Sequence, residues 1–465
     1  MINLFSHYVS GRLMVLAALE AMVLSVAAYV GIFLYLAGSG AAVLGGGASV
    51  SSQAIGFALG MVIVNSSMGL YRTTSWDEKQ SVWLRLVAAF LLGFAVSGVI
   101  SYLMPSLNPR PLELGATIMT LALAGSVLIR AAFHKWSNLE AFKSRVLVLG
   151  TGSRVMRLAE YAQRNPNHQV VGYISLQPSK HYIPSPQVLP MAPGDSLLSV
   201  VQRNAIDQIV VAVRDRRGGG FPVQQLLECK MKGVKIVELP TFFEREYRQV
   251  LLESLNPSWM VLGDGFRPRF FGNAVKRLFD LTVSGALLLL TLPIMLLAAL
   301  CIYLESRRPV LYRQERVGKG GRVFTLYKFR SMKLDAESCG TAQWAKANDD
   351  RITRVGRFMR KWRIDELPQI FNVFQGDMSF VGPRPERPVF VDQLMKQIPY
   401  YALRHNTMPG ITGWAQVRYS YGASVDDAIE KLQYDLYYLK NRCLFLDLTI
   451  LVATVEVVLW GRGAR

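Results

Sequence analysis

Asp365 and Glu366 are adjacent carboxylates in the run Arg360-Lys361-Trp362-Arg363-Ile364-Asp365-Glu366-Leu367-Pro368-Gln369. Gly376-Asp377-Met378-Ser379 and Val381-Gly382-Pro383-Arg384-Pro385 follow closely. Carboxylates among clustered guanidinium groups, downstream of a long apolar segment, suit a site that handles a phosphorylated substrate, a divalent cation and a lipid together. One carboxylate can bind a metal while the other attacks phosphorus. Phosphoryl chemistry needs its developing oxyanion charge neutralised, the work of Mg²⁺ and arginine. Hard oxygen ligands select Mg²⁺ over zinc. Asp365 alone would read as a helix N-cap, with Pro368 in the first turn and Gly376 closing the helix. The adjacent Glu366, with the phosphate-matched charges of Lys328, Arg360 and Arg384, favours chemistry instead. A carboxylate at a helix N-terminus is expected to stay ionised.

Several elements must position these groups. Residues 351–363 read as a basic amphipathic helix suited to a membrane surface, with Ile352, Val355, Phe358, Met359 and Trp362 opposite Arg354, Arg357, Arg360, Lys361 and Arg363. The glycines of Gly318-Lys319-Gly320-Gly321 predict a hairpin with strands Val310–Arg313 and Val323–Phe329. Alternation then places Lys328 and Arg330 on one face as a phosphate clamp. Upstream, residues 281–304 carry no charge and hold Pro293 near their centre. An interior proline bends a helix. Both flanks are basic (Lys276, Arg277 before; Arg307, Arg308, Arg313 after), which predicts entry and return on one side of the bilayer. A kinked crossing is the alternative. Near the C-terminus, 426–440 is amphipathic, and 444–460 is apolar but interrupted by Asp447 and Glu456, so surface attachment or core packing is expected.

The 465 residues carry a net charge of +19 and are 51% apolar, and mean hydropathy is positive. Basic residues that flank apolar stretches point to anionic lipid or phosphate and away from nucleic acid. Four dispersed cysteines without CxxC spacing indicate neither a disulfide framework nor a zinc site. Apolar runs near 13–37, 54–70, 84–104 and 115–133 predict a four-helix transmembrane bundle over 1–140. Lysine and arginine in the 71–85 loop and after the fourth run place both ends of this bundle in the cytoplasm. Glu20 is expected to face the bundle interior or snorkel near the helix end, with a functional intramembrane acid as the alternative.

Residues 141–240 predict a Rossmann-like parallel α/β module, with strands at Arg145–Gly150, Val170–Ser175, Gln208–Val213 and Val234–Leu239. Its glycine fingerprint is degenerate: Val155 occupies the third position, and no acid follows to hold a ribose. A linker is expected over 241–275, then a mixed α/β catalytic domain over 276–465. The fold class is membrane α with α/β, its catalytic domain anchored by a proline-broken re-entrant helix.

KFRSM (Lys328–Met332), the IDELPQIFNVFQGDMSFVGPRPE run and PGITGWAQV (Pro409–Val417) together resemble the bacterial sugar transferases, monotopic phosphoglycosyl transferases, over about 270–465. The bundle and degenerate module resemble the large, exopolysaccharide-initiating branch. This resemblance implies transfer of a sugar 1-phosphate from a UDP-sugar to polyprenyl (undecaprenyl) phosphate in a bacterial inner membrane, with the catalytic domain facing the cytoplasm. It implies Asp365 as nucleophile, Glu366 supporting Mg²⁺ and positioning, the metal held by the pair, Arg360 and Arg384 as matched arginines, and Pro293 as the break in a re-entrant helix. Thr412, Gly413 and Trp414 match a motif without an assigned role. Arg363 departs from the family pattern, where small polar residues are common. Membrane lipids are expected partners, and homo-oligomerisation is left open. A membrane-tethered nucleotide-sugar epimerase or dehydratase, and a catalytically silent scaffold of polysaccharide assembly, are the rival readings.

Overall fold

The computed structural model describes residues 2–4, 7–9, 11–38, 47–71, 79–103, 112–137, 143–163, 168–176, 182, 187–189, 195–213, 221–255, 265–266, 270–333, 351–419, 422 and 424–459. Two compact units form: residues 131–263, and residues 1–130 with 264–465.

In the larger unit a short antiparallel hairpin, β1 (Ile2–Leu4) and β2 (His7–Val9), precedes four long helices. These are α1 (Gly11–Gly38), α2 (Gly47–Ser67), α3 (Lys79–Leu103) and α4 (Leu112–Ser137). Gly11–Tyr35, Val50–Ser67 and Glu113–Trp136 are long and apolar enough to cross a membrane, and α3 adds the apolar stretch Val82–Gly98. The protein is a membrane protein. Met22, Leu59, Leu91 and Leu128 face outward, while Leu24, Ala58, Leu86 and Ala122 fill the interior. Glu20 faces that interior, as expected. Its carboxylate lies 2.5 Å from Arg130 Nε and accepts from the Tyr71 hydroxyl at 2.5 Å. Arg130 also donates to the Leu70 carbonyl at 3.1 Å. A charge inside a bundle persists only when paired in this way.

The smaller unit runs β3 (Ser144–Leu149), α5 (Arg154–Gln163), β4 (His168–Ile174), α6 (Leu197–Arg203), β5 (Gln208–Val211), α7 (Val223–Met231), β6 (Lys235–Glu238) and α8 (Leu239–Tyr247). Its four strands are parallel in the order β4-β3-β5-β6, as the alternating pattern predicts. Successive β3 side chains serve opposite faces: Val146 and Val148 pack with Phe242 and Phe243, and Leu147 and Leu149 with Leu197 and Val200. Val155, at the third fingerprint position, is fully buried in the first of these clusters. The linker expected to begin at 241 is therefore corrected. Residues 239–247 form α8, whose aromatic face completes the core, because Pro240 fits the first turn of a helix.

The larger unit resumes with α9 (Phe270–Ser306), the antiparallel hairpin β7 (Leu311–Val317) and β8 (Val323–Phe329), and α10 (Arg354–Lys361). It continues through α11 (Gln369–Gln375), β9 (Ser379–Val381), α12 (Pro388–Gln397), β10 (Gly410–Thr412), α13 (Trp414–Arg418), α14 (Val425–Asn441) and α15 (Leu444–Leu459). The helix expected to break at Pro293 is one helical element with Pro293 inside it. A proline removes a single backbone bond, and an apolar setting favours keeping the others. Leu289, Leu290, Leu296 and Leu297 of α9 are exposed, whereas Met295, Ala298 and Ile302 pack on Phe329 and Met359. Residues 444–459 pack into the protein through Leu446, Ile450 and Ala453, the core-packing alternative for this stretch.

Glu20→Gln should leave Arg130 uncompensated inside the bundle, at a cost of roughly 3–5 kcal/mol. The thermal unfolding midpoint in nanodiscs should fall, and a Glu20→Met/Arg130→Met double variant should recover most of the loss.

Candidate active site

The carboxylate pair is built by a local turn. Thr353 caps α10 by accepting from the Gly356 amide at 2.9 Å, and Glu305 of α9 accepts from the Arg354 amide at 2.9 Å. Helix α10 thereby starts at a fixed place. After Lys361 the chain reverses through Arg363 in the left-handed region (φ 54°), a strained conformation for a side chain of this size. A 3₁₀ turn over Ile364–Glu366 follows, and both acids are buried. Asp365 is therefore not the expected N-cap. Helix α11 begins at Gln369 behind Pro368, which has no N–H to satisfy. Gly376 ends that helix in the left-handed region (φ 89°), as predicted.

The two acids have different surroundings. Glu366 Oε1 lies 2.5 Å from the Arg384 guanidinium and 3.4 Å from Lys328 Nζ, and Oε2 lies 3.4 Å from Arg363. The Asp365 carboxylate makes no hydrogen bond or ion pair among the described residues. Burial alone would raise the Glu366 carboxyl, but Arg384, Lys328 and Arg363 outweigh it and hold the group well below the usual range. Burial and then the neighbouring Glu366 charge push Asp365 up, against Lys328, Arg360 and Arg384. The pair is uneven: the cations favour the charged form of Glu366, while burial and the Glu366 charge work against the ionisation expected of Asp365. Lys328 is itself lowered by burial, with Glu366 acting in opposition.

Among the predicted cations, Lys328, Arg360 and Arg384 act on the pair. Arg330 does not join them. Its guanidinium donates to the Ser306 carbonyl at 2.7 Å and the Arg307 carbonyl at 2.9 Å, capping the end of α9. Strand β8 ends at Phe329, so the alternation that put Lys328 and Arg330 on one face stops one residue too soon. Arg363, flagged only as a departure from the family pattern, is the cation that sequence reasoning missed. The left-handed turn that folds it back onto Glu366 leaves no mark in residue type.

Arg384 projects from a loop whose base explains the 410–414 motif. Strand β9 pairs in parallel with β10; the Gly382 amide donates to the Thr412 carbonyl, and the Gly410 amide to the Pro383 carbonyl, each at 2.9 Å. A Cβ on Gly382 would strike the Met408 carbonyl, one on Gly410 the Gly382 amide nitrogen, and one on Gly413 the Gly382 carbonyl. Thr412 Oγ1 meets Thr454 Oγ1 of α15 at 2.6 Å, and Trp414 is buried beside Tyr437. The motif is the seat of the Arg384 loop.

Residues 271–461 match the family described as "Bacterial sugar transferase". The chain is 34% identical over 396 residues to the UDP-N-acetylgalactosamine-undecaprenyl-phosphate N-acetylgalactosaminephosphotransferase of Aeromonas hydrophila, covering 84% of this chain and 90% of that protein. The chain belongs to the bacterial sugar transferase family. It is also 33% identical over 351 residues to the UDP-glucose:undecaprenyl-phosphate glucose-1-phosphate transferase of Xanthomonas campestris pv. campestris (74% of this chain, 72% of that protein). A protein of the same name from Caulobacter vibrioides shares 42% identity over 210 residues, 44% of this chain and 78% of its own length.

Glu366→Gln removes the negative charge beside Asp365, so the Asp365 carboxyl should ionise at lower pH than in the wild type. Carbon-13 NMR of carboxyl-labelled aspartate reads this directly, and an unchanged or higher midpoint would contradict the electrostatic account.

Proposed function

We propose that this protein transfers a sugar 1-phosphate from a UDP-sugar to undecaprenyl phosphate through a covalent aspartyl intermediate. The observation that carries the reading is the asymmetry of the pair: a buried Asp365, unpaired among the described residues, beside a Glu366 held by three cations. An Asp365 oxygen attacks the β-phosphorus of the UDP-sugar, and the bond from that phosphorus to the bridging oxygen breaks. UMP leaves with the electron pair. A phosphate oxygen of undecaprenyl phosphate then attacks the Asp365-linked phosphorus, and the carboxylate is released. Lys328, Arg360 and Arg384 orient the phosphates by charge and, for the arginines, by paired donors. The names of the relatives support this donor and acceptor class. They differ in the sugar.

The residues also fit Mg²⁺. Asp365 offers hard, unpaired oxygens, whereas both Glu366 oxygens are already engaged. No cluster of three metal-ligating side chains exists among the described residues, so Asp365 would hold the ion with phosphate and water oxygens, as magnesium sites commonly do. Bound there, the ion would supply neutralisation of pyrophosphate charge.

The attachments of α9 bear on membrane placement. Near its start, Asp280 accepts from the Phe380 amide at 3.1 Å; at its end, Ser306 accepts from Arg330. Both ends of the apolar segment thus bond to one catalytic domain. We read the segment as a re-entrant helix, bent at Pro293, and put the catalytic domain on the cytoplasmic face of the inner membrane because basic residues flank both ends of the apolar stretch. Phe358 of α10, Trp362 just after it, and Phe371 and Phe374 of α11 are exposed apolar groups flanking the pair in sequence, suited to the interface where the lipid phosphate arrives.

A panel of radiolabelled UDP-sugars, incubated with the protein and undecaprenyl phosphate in nanodiscs, should give UMP release and labelled lipid for a matching sugar. Asp365→Asn should reduce turnover by roughly a thousandfold or more, as expected on losing a covalent nucleophile. Intact-mass analysis without acceptor should find a phosphosugar adduct on Asp365; product without adduct would refute the intermediate, and normal turnover in the variant would favour a silent site. Chelation should stop transfer and Mg²⁺ restore it. Cysteines placed at Ala274 and Leu311 should both react with an impermeant reagent from the cytoplasmic side, and opposite-side labelling would exclude re-entry.

A further inference from the structure

Arg384 is held by more than its contact with Glu366. The carbonyl of Arg384 accepts from the Arg404 guanidinium at 2.9 Å. Arg404 is buried; its second terminal nitrogen donates to the Tyr401 hydroxyl at 2.6 Å, and it pairs with buried Asp435 at 2.9 Å. The next carbonyl, that of Pro385, accepts from Arg316 at 3.0 Å. The Glu386 carbonyl accepts from the Val317 amide at 2.9 Å. Three consecutive carbonyls are therefore fixed from two sides, by the 3₁₀ turn Tyr401–Asn406 and by β7.

Burying an arginine and an aspartate is costly, and well-packed apolar residues would often serve stability as well. Here the buried guanidinium directs one of its donors at the backbone of the residue whose side chain grips Glu366. A charge-assisted bond is short and directional, so it fixes where the Arg384 side chain begins. A guanidinium displaced by a small distance from its carboxylate loses much of its electrostatic hold.

We propose that Arg404, itself oriented by Asp435 and Tyr401, is a positioning residue for phosphosugar transfer, acting through the Arg384 carbonyl to hold the Arg384 guanidinium on Glu366. The inference rests on the transfer reaction proposed above. Arg404 touches neither carboxylate of the pair; its effect passes through Arg384.

The experiment uses the full chain in nanodiscs. Arg404→Lys keeps a charge for Asp435 but cannot also span to the carbonyl and Tyr401, because an ammonium lacks the guanidinium fork. Its unfolding midpoint should stay near that of the wild type, while kcat falls by about tenfold to a hundredfold, the usual range for supporting-shell losses. In an Arg384→Lys background the same substitution should cost no more than about twofold, since groups acting through one another are not additive. An equal loss in both backgrounds, or a loss that only follows a lowered unfolding midpoint, overturns the proposal. A second measurement is independent of turnover: nitrogen-15 NMR of side-chain-labelled arginine. The Arg384 guanidinium signal, assigned by its loss in Arg384→Lys, should move in Arg404→Lys relative to the wild type, because its contact with Glu366 loosens. An unmoved Arg384 signal overturns the positioning role whatever the chain transfers. A wild type that transfers no sugar phosphate, together with a moved Arg384 signal, would sink the reaction and leave the positioning geometry standing.

Discussion

Compensation of one buried negative charge organises the catalytic domain. Glu366 sits almost out of water, where an isolated carboxylate would be untenable. The cations that compensate it come from separate pieces of chain: Lys328 from β8, Arg363 from the left-handed turn, and Arg384 from the loop after β9. Each must arrive from its own direction, which is why a hairpin, a strained turn and a loop seated on a parallel strand pair converge here. Asp365, one residue away, is left by the same arrangement without a hydrogen-bond or ion-pair partner among the described residues. The glutamate collects the positive field, and the aspartate stands within it.

The membrane and catalytic parts of the larger unit are joined through α15. Glu456 of that helix lies 3.5 Å from Arg85 of α3, with both side chains buried. Two residues earlier, Thr454 meets Thr412 at the edge of the β9–β10 pair. One helix thus touches the bundle and the base of the Arg384 loop. Helix α9 adds a second attachment, bonding to the same domain near its start and at its end. The apolar residues of α9 that stay exposed, Leu289, Leu290, Leu296 and Leu297, are left free of this attachment.

Much of this was legible from residue order. Apolar runs marked the long helices, alternating patterns marked the parallel sheet, and glycines marked the hairpin turn, because each rests on a local period that packing preserves. The misreadings share a cause. Arg330 was assigned by an alternation that ends at Phe329. The cap assigned to Asp365 assumed a helix start that Arg363 and Pro368 displace. Residues 241–247 looked like linker because the aromatic pair Phe242 and Phe243 gains meaning only against the sheet they cover. Arg404 could not be read at all: Tyr401 is near in sequence, but Arg384 and Asp435 lie twenty and thirty-one residues away with no motif joining them. Local periodicity carries no information on where a turn ends or which distant carbonyl a buried arginine will find.

The backbone seam beneath Arg384 has an evolutionary corollary. At Gly382, Gly410 and Gly413 main chain lies against main chain so closely that even a methyl group would collide. Any side chain there would wedge two stretches of main chain apart, so sequence change that keeps Arg384 in place has to fall on residues that look away from this joint.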